Sequence, residues 1–230
     1  MSPRLLIKQV VTLSVVLLQA ACVVEVHSGN RGGDISKVLG GIEIEPGENA
    51  GDLESVNGSI LLGDNSSAEQ VETVNGSIRI RDGVSVNSVE TVNGSIRAGS
   101  NLKVRDEVST VNGSIELRKG SVIDDQVSTV NGTISLRKTE VRHDVKTTNG
   151  DIRLLEGSVV SGDVIFHESG SHFGSHTNRP KLVVDAESSI KGEVHLYRKV
   201  RLEIDSDADV GEIVRHCVTS AHMVPPSPVC

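Results

Sequence analysis

The chain has 230 residues, with 23 Lys and Arg against 31 Asp and Glu for a formal charge of −8, and it contains no Trp, one Tyr and two Phe. So acidic a chain lacks the net basic face that phosphate binding needs, which excludes nucleic acid as an expected partner. With almost no aromatic rings there is little on which a pyranose face would stack, so a sugar-cleaving cleft is not expected either.

Residues 1–21 carry Arg4 and Lys8, an apolar run from Val10 to Leu18, and then Gln19-Ala20-Ala21. A basic start, a short apolar run and small residues are the layout of a secretory signal, and the run is too short to span a bilayer comfortably. Ala20-Ala21-Cys22 resembles the lipobox of bacterial lipoproteins, whose cysteine becomes the acylated first residue, although Gln19 stands where that pattern usually has Leu. The expectation is an exported chain lipidated at Cys22 and held to a membrane, with residues 22–34 as a tether; ordinary cleavage nearby is the plainer reading.

From residue 35 the chain repeats. Val-Asn-Gly-Ser-Ile occurs at Val56–Ile60, Val74–Ile78, Val92–Ile96 and Val111–Ile115, then as Val-Asn-Gly-Thr-Ile at Val130–Ile134 and Thr-Asn-Gly-Asp-Ile at Thr148–Ile152, in steps of 18 or 19 residues. Further columns keep the spacing: Ile35, Leu53, Val71 and their successors three residues before the Val, and Ile-x-Leu pairs such as Ile60-Leu61-Leu62 after it. Ile-x-Leu alternation has the period of a strand with one buried face. A lone copy buries too little to offset the entropy of ordering it, so copies must stack and share a core.

The predicted fold is all-β: a single-stranded parallel β-helix, or β-solenoid, over 35–157 with 18–19-residue coils. Stacking would set Val on Val, Ile on Ile, and Asn57, Asn75, Asn93, Asn112, Asn131 and Asn149 into an amide ladder. Gly58, Gly76, Gly94, Gly113, Gly132 and Gly150 then mark a corner that needs either positive φ or room for a neighbour. Asn-Gly between apolar residues also fits a hairpin turn, pairing Thr73 with Ile78. A coil is preferred because it gives Val84 and Val86 a place in a further wall.

Beyond Leu154 the pattern loosens. Gly162–Phe166, Gly192–Leu196 and Gly211–Val214 echo the corner, so 158–216 reads as an irregular continuation of the solenoid, interrupted by a Gly-, Ser- and His-rich excursion at 168–180. The tail 217–230 holds three Pro and should not be given regular structure. With Cys22 lipidated, Cys217 and Cys230 remain as an even pair, bridged or as two free thiols.

No catalytic set rises above the repeat, and no cofactor or metal is expected. His167, His172 and His176 with Glu168 match metal ligands by type but follow no zinc spacing, and read as surface histidines. Asp205, Asp207 and Asp209 suggest a calcium loop, but Val210 stands where that loop needs Gly and His216 where it needs Glu. Asn-Gly-Ser/Thr creates glycosylation sequons from Asn57 to Asn131, better explained by corner geometry. Arg118, Lys119, Arg137 and Lys138 form a basic cluster that reads as solvated charge deterring edge pairing.

The Val-Asn-Gly-Ser-Ile-x-Leu copies resemble the bacterial adhesin-type family of β-strand-repeat envelope proteins known as DUF4097, clearly over 35–154 and loosely over 162–214. The resemblance implies right-handed winding, an exported or membrane-associated location and no established catalytic residues; bactofilins, which polymerise through a similar coil, are a more distant likeness. The functional expectation is a non-enzymatic, lipid-anchored envelope protein presenting a rigid surface for adhesion, binding or scaffolding, with an unknown envelope protein or polysaccharide as partner. The alternatives are self-association through the coil ends into a bactofilin-like polymer and, less favoured, a polysaccharide-active β-helix enzyme with a polar groove.

Overall fold

Two apolar residues flanking a polar one can both be buried only if the backbone is extended, and Ile78–Ile80 is such a strand, with Ile78 and Ile80 buried and Arg79 exposed. The computed structural model describes residues 32–169 and 179–216. Over these the chain winds as a parallel β-solenoid of about nine turns. The leader, Cys22, His172, His176, and Cys217 and Cys230 with the tail between them lie outside the described residues.

The coils build three walls. The first wall has ten strands, from Ile35–Leu39 to Ile213–Arg215, and the second has nine, from Ile42–Ile44 to Arg201–Ile204. The third has seven two-residue strands, from Ser85–Val86 to Asp209–Val210, and the bridges Asn49 to Ser67 and Ser67 to Ser85 extend it toward the first coil. Val86 faces the core from this wall.

Register is like on like. Ile78 lies between Ile60 and Ile96, and Thr73 between Ser55 and Thr91, always in parallel. Hairpins, which would set Thr73 against Ile78, are thereby excluded. Leu53, Val71 and Val89 from the first wall meet Ile60, Ile78 and Ile96 from the second and Val86, Val104 and Ile123 from the third in one continuous core. Residues 158–169 and 179–216 stay in this stack: Ile152 pairs with Leu182, and Val164 with Val194.

The expected Val column lies on the outer face. Val56, Val74, Val92, Val111 and Val130 stack, but on the outside of the first wall, where they are half-buried. They stand three residues after the inward column Leu53, Val71 and Val89, and on a strand an odd spacing reverses the face. The place beside them that points inward belongs to Ser55, Thr73, Thr91, Thr110, Thr129 and Thr147, all at most 4% exposed.

At the signature corner, room decides in favour of glycine. Gly58, Gly76, Gly94, Gly113 and Gly150 are not among the glycines with positive φ, whereas a Cβ on any of them would collide with the carbonyl oxygen of the glycine one coil earlier. Gly132 at this corner combines a collision with Gly113 O with a positive φ of 154°, Gly40 of the first coil has φ of 95°, and left-handed backbone recurs at a second corner, between the second and third walls, at Gly47, Asn65, Gly83, Asn101, Gly120 and Lys138.

Candidate functional site

The buried threonines and the asparagines that the repeat carries bond to the neighbouring coil. Thr73 Oγ1 donates to Gly58 O at 2.9 Å, Thr91 to Gly76 O and Thr110 to Gly94 O at 3.0 Å, and Thr129 to Gly113 O at 3.1 Å. A buried hydroxyl and a corner carbonyl thus satisfy each other, which is why a polar residue sits among the aliphatic ones. At the edges of the walls, carboxylates accept backbone N–H groups of the next coil: Asp34 from Asp52 at 3.0 Å, Asp82 from Ser100 at 2.7 Å, Asp163 from Glu193 at 2.8 Å.

The asparagines bond in a chain. Asn75 Nδ2 donates to Asn57 Oδ1 at 3.1 Å, and Asn93, Asn112, Asn131 and Asn149 each donate to the preceding one at 2.9–3.0 Å. At the first end Asn57 Nδ2 reaches only Val38 O, at 3.5 Å, because Leu39 stands in the column there. At the other end Arg198 Nη1 donates to Asn149 Oδ1 and Thr148 O, both at 2.6 Å. The nitrogen that a sequon would glycosylate is the one each of these amides donates along the stack.

The surface with a character of its own is the outer face of the first wall. Glu54, Glu72 and Glu90 are in register there, one strand spacing apart, about 4.8 Å. They run beside the half-buried Val56, Val74 and Val92. Burial, with Glu107 and Glu72 adding like charge, pushes the Glu90 carboxyl up to about 7; burial, with Glu54 and Asp52, raises Glu72. Further along the face the charge is paired. Gln126 Nε2 donates to Glu107 at 2.7 Å, Lys146 Nζ donates to Gln126 at 3.0 Å and lies 2.9 Å from Asp144. Although partial burial opposes it, the N–H of Asp163 and the Lys146 ammonium hold Asp144 below the usual carboxylate range.

Toward the last coils the outward Val column gives way to rings, at His167, Tyr197 and His216. Tyr197 and His216 stack at 4.0 Å between centroids, and His167 and Tyr197 at 6.3 Å. His195 Nδ1 lies 3.2 Å from His216 Nε2, and His195 Nε2 lies 3.4 Å from Glu193 and 3.6 Å from Asp163. Burial and Lys146 lower the His167 pKa. Among the described residues no three His, Cys, Asp or Glu side chains converge as metal ligands.

The other groups singled out from the sequence disperse. Arg118 pairs with Glu116 at 3.2 Å and Arg137 with Glu156 at 2.7 Å, while Lys138 occupies the left-handed corner with φ of 47°. Asp205 accepts the Asp207 N–H at 3.1 Å in a turn, and Asp209 pairs with Lys191 across the third wall at 2.5 Å. Sequence reasoning missed the threonine column, Arg198 and the stacked glutamates. The glutamates were legible as Glu54, Glu72 and Glu90 in steps of 18, and Arg198 as the asparagine column carried across the excursion.

Comparison with protein-family models, with curated proteins and with solved structures gives no match to this chain.

Proposed function

We propose that this chain is a non-enzymatic exported protein of the bacterial envelope, anchored through lipid on Cys22, whose solenoid is a rigid scaffold presenting the outer face of its first wall to an envelope protein or polysaccharide. The carrying observation is the use to which the repeated polar residues are put. Thr91 and Asn93 bond from coil to coil, while the residues left facing outward beside them, Glu72, Glu90, Val74 and Val92, form a continuous stripe. A surface built this way is suited to adhesion along an extended partner, since three successive coils offer the same Glu and Val pair at a fixed interval. The likeness of the repeat to the DUF4097 adhesin-type family supports the same reading and, with it, right-handed winding.

The test is expression of the full chain in a bacterial host with a radiolabelled fatty acid. Label on the protein and recovery in the membrane fraction are expected, both lost on Cys22→Ser. Unlabelled protein that stays in the cytoplasm, or membrane recovery unaltered by Cys22→Ser, would overturn the anchored reading.

A further inference from the structure

The inward column of the first wall begins and ends on a cation. In register it runs from Lys37 through Ser55, five threonines, Phe166 and Leu196 to Arg215. Every member between the two ends is buried, at no more than 4% exposure. Lys37 fills the place that a hydroxyl fills in the next six coils and, with no earlier glycine carbonyl to reach, its Nζ donates to Gly41 O at 2.9 Å. Arg215 is exposed at the opposite end.

The columns of the two ends are in register, but their burial differs: Ile42 and Ile44 of the first coil are buried, at 2% and 3% exposure, and Ile35 is partly buried. Inward Leu202, Ile204, Val210 and Ile213 of the last coil are only partly buried, unlike their counterparts in the coils before. One copy stacked in register on another would continue the columns, laying Leu202 on Ile42, Ile204 on Ile44 and Ile213 on Ile35, and would set the outermost described strands edge to edge. It would also bring Arg215 onto Lys37 at one strand spacing inside the stack, and Glu203 onto Glu43 outside it. Because both ends carry the same sign, head-to-head and tail-to-tail contacts bring cation toward cation as well.

We propose that Lys37 and Arg215 are matched end stops that keep the solenoid a single rod of fixed length by preventing a second copy of this chain from stacking on its ends. Charges pointing inward at an open edge are a means by which β-sheets avoid joining edge to edge. The stop acts on the rod itself, independently of whether Cys22 carries lipid.

The experiment is sedimentation of the full chain over a wide concentration range, with circular dichroism and thermal melting to verify the fold of each variant. Wild type should sediment as a monomer, and the double variant Lys37→Thr/Arg215→Leu should form a ladder of end-to-end oligomers, associating roughly 100-fold more tightly once the two inward cations are gone and only the solvated Glu43 and Glu203 remain opposed. Lys37→Glu alone, which sets opposite charges at a head-to-tail junction, should associate more tightly than Lys37→Ala and lose that advantage in high salt; it decides the matter if the double variant fails to fold. Wild type that grows into end-to-end chains, or a folded double variant or Lys37→Glu that stays monomeric over the same range, would overturn the proposal.

Discussion

Arg198 closes the asparagine ladder that Asn149 leaves open, its Nη1 lying 2.6 Å from Asn149 Oδ1 and 2.6 Å from Thr148 O across about fifty residues of sequence. All the ladder amides point the same way, so their carbonyl ends sum toward Asn149, and a guanidinium there acts as a cation does at a helix C-terminus. Arg198→Ala should cost about 2 kcal/mol in urea unfolding, the range for a hydrogen bond to a charged group. Combined with Asn149→Ala it should cost less than the sum of the two single changes; strict additivity would show that the contact contributes nothing.

Gly94 and Gly47 separate crowding from backbone conformation. A Cβ on Gly94 would meet the Gly76 carbonyl, whereas Gly47 has φ of 75° and open space around it. Gly94→Ala forces two coils apart and should cost about 3 kcal/mol, against about 1 kcal/mol for Gly47→Ala, which pays only for left-handed backbone. Equal losses in thermal or urea unfolding would contradict the collision.

Thr91→Val keeps the shape of a buried residue and removes its hydroxyl from Gly76 O, 3.0 Å away. The stranded carbonyl should lower stability by about 1–3 kcal/mol. Thr91→Ser, which restores the donor, should recover most of that loss in the same measurement.

Glu90 makes stability depend on pH in an unusual sense for a carboxylate. A raised folded pKa means that the folded state binds its proton more tightly than the unfolded state does, so stability falls as pH rises through that interval. The penalty is absent below the ordinary value of 4.5, grows across the window and is complete above about 7. Urea unfolding of wild type against Glu90→Gln should therefore show the variant gaining relative stability through that window. A difference that is flat with pH would show that burial and the neighbouring Glu107 and Glu72 do not raise the Glu90 carboxyl.

The repeat made the coil legible because Ile78-Arg79-Ile80 and its copies state both a face and a spacing, and parallel register follows once like must lie on like. What the repeat does not state outright is parity: Val71 and Val74 are equally apolar, but three residues along a strand separate opposite faces, so Val71 is core and Val74 is not, while Thr73, polar by type, is buried. Its carbonyl partner, Gly58, lies 15 residues away and becomes visible only when coils are placed side by side. The left-handed corner was hidden for another reason. Asn65, Gly83, Asn101 and Lys138 share one backbone geometry but little chemistry. Lys37 and Arg215 were legible in principle, being the two places where the threonine column breaks into charge.

Lys181 N–H donates to Asp151 Oδ1 at 3.0 Å across 30 residues, where the corresponding pair Ser100 and Asp82 is 18 apart. The added residues leave the register of the flanking coils as it was: Leu182 lies on Ile152 and Val194 on Val164. The length of chain between Phe166 and Lys181 is thus decoupled from stacking, and a foreign peptide exchanged for residues 170–178 should leave the core intact.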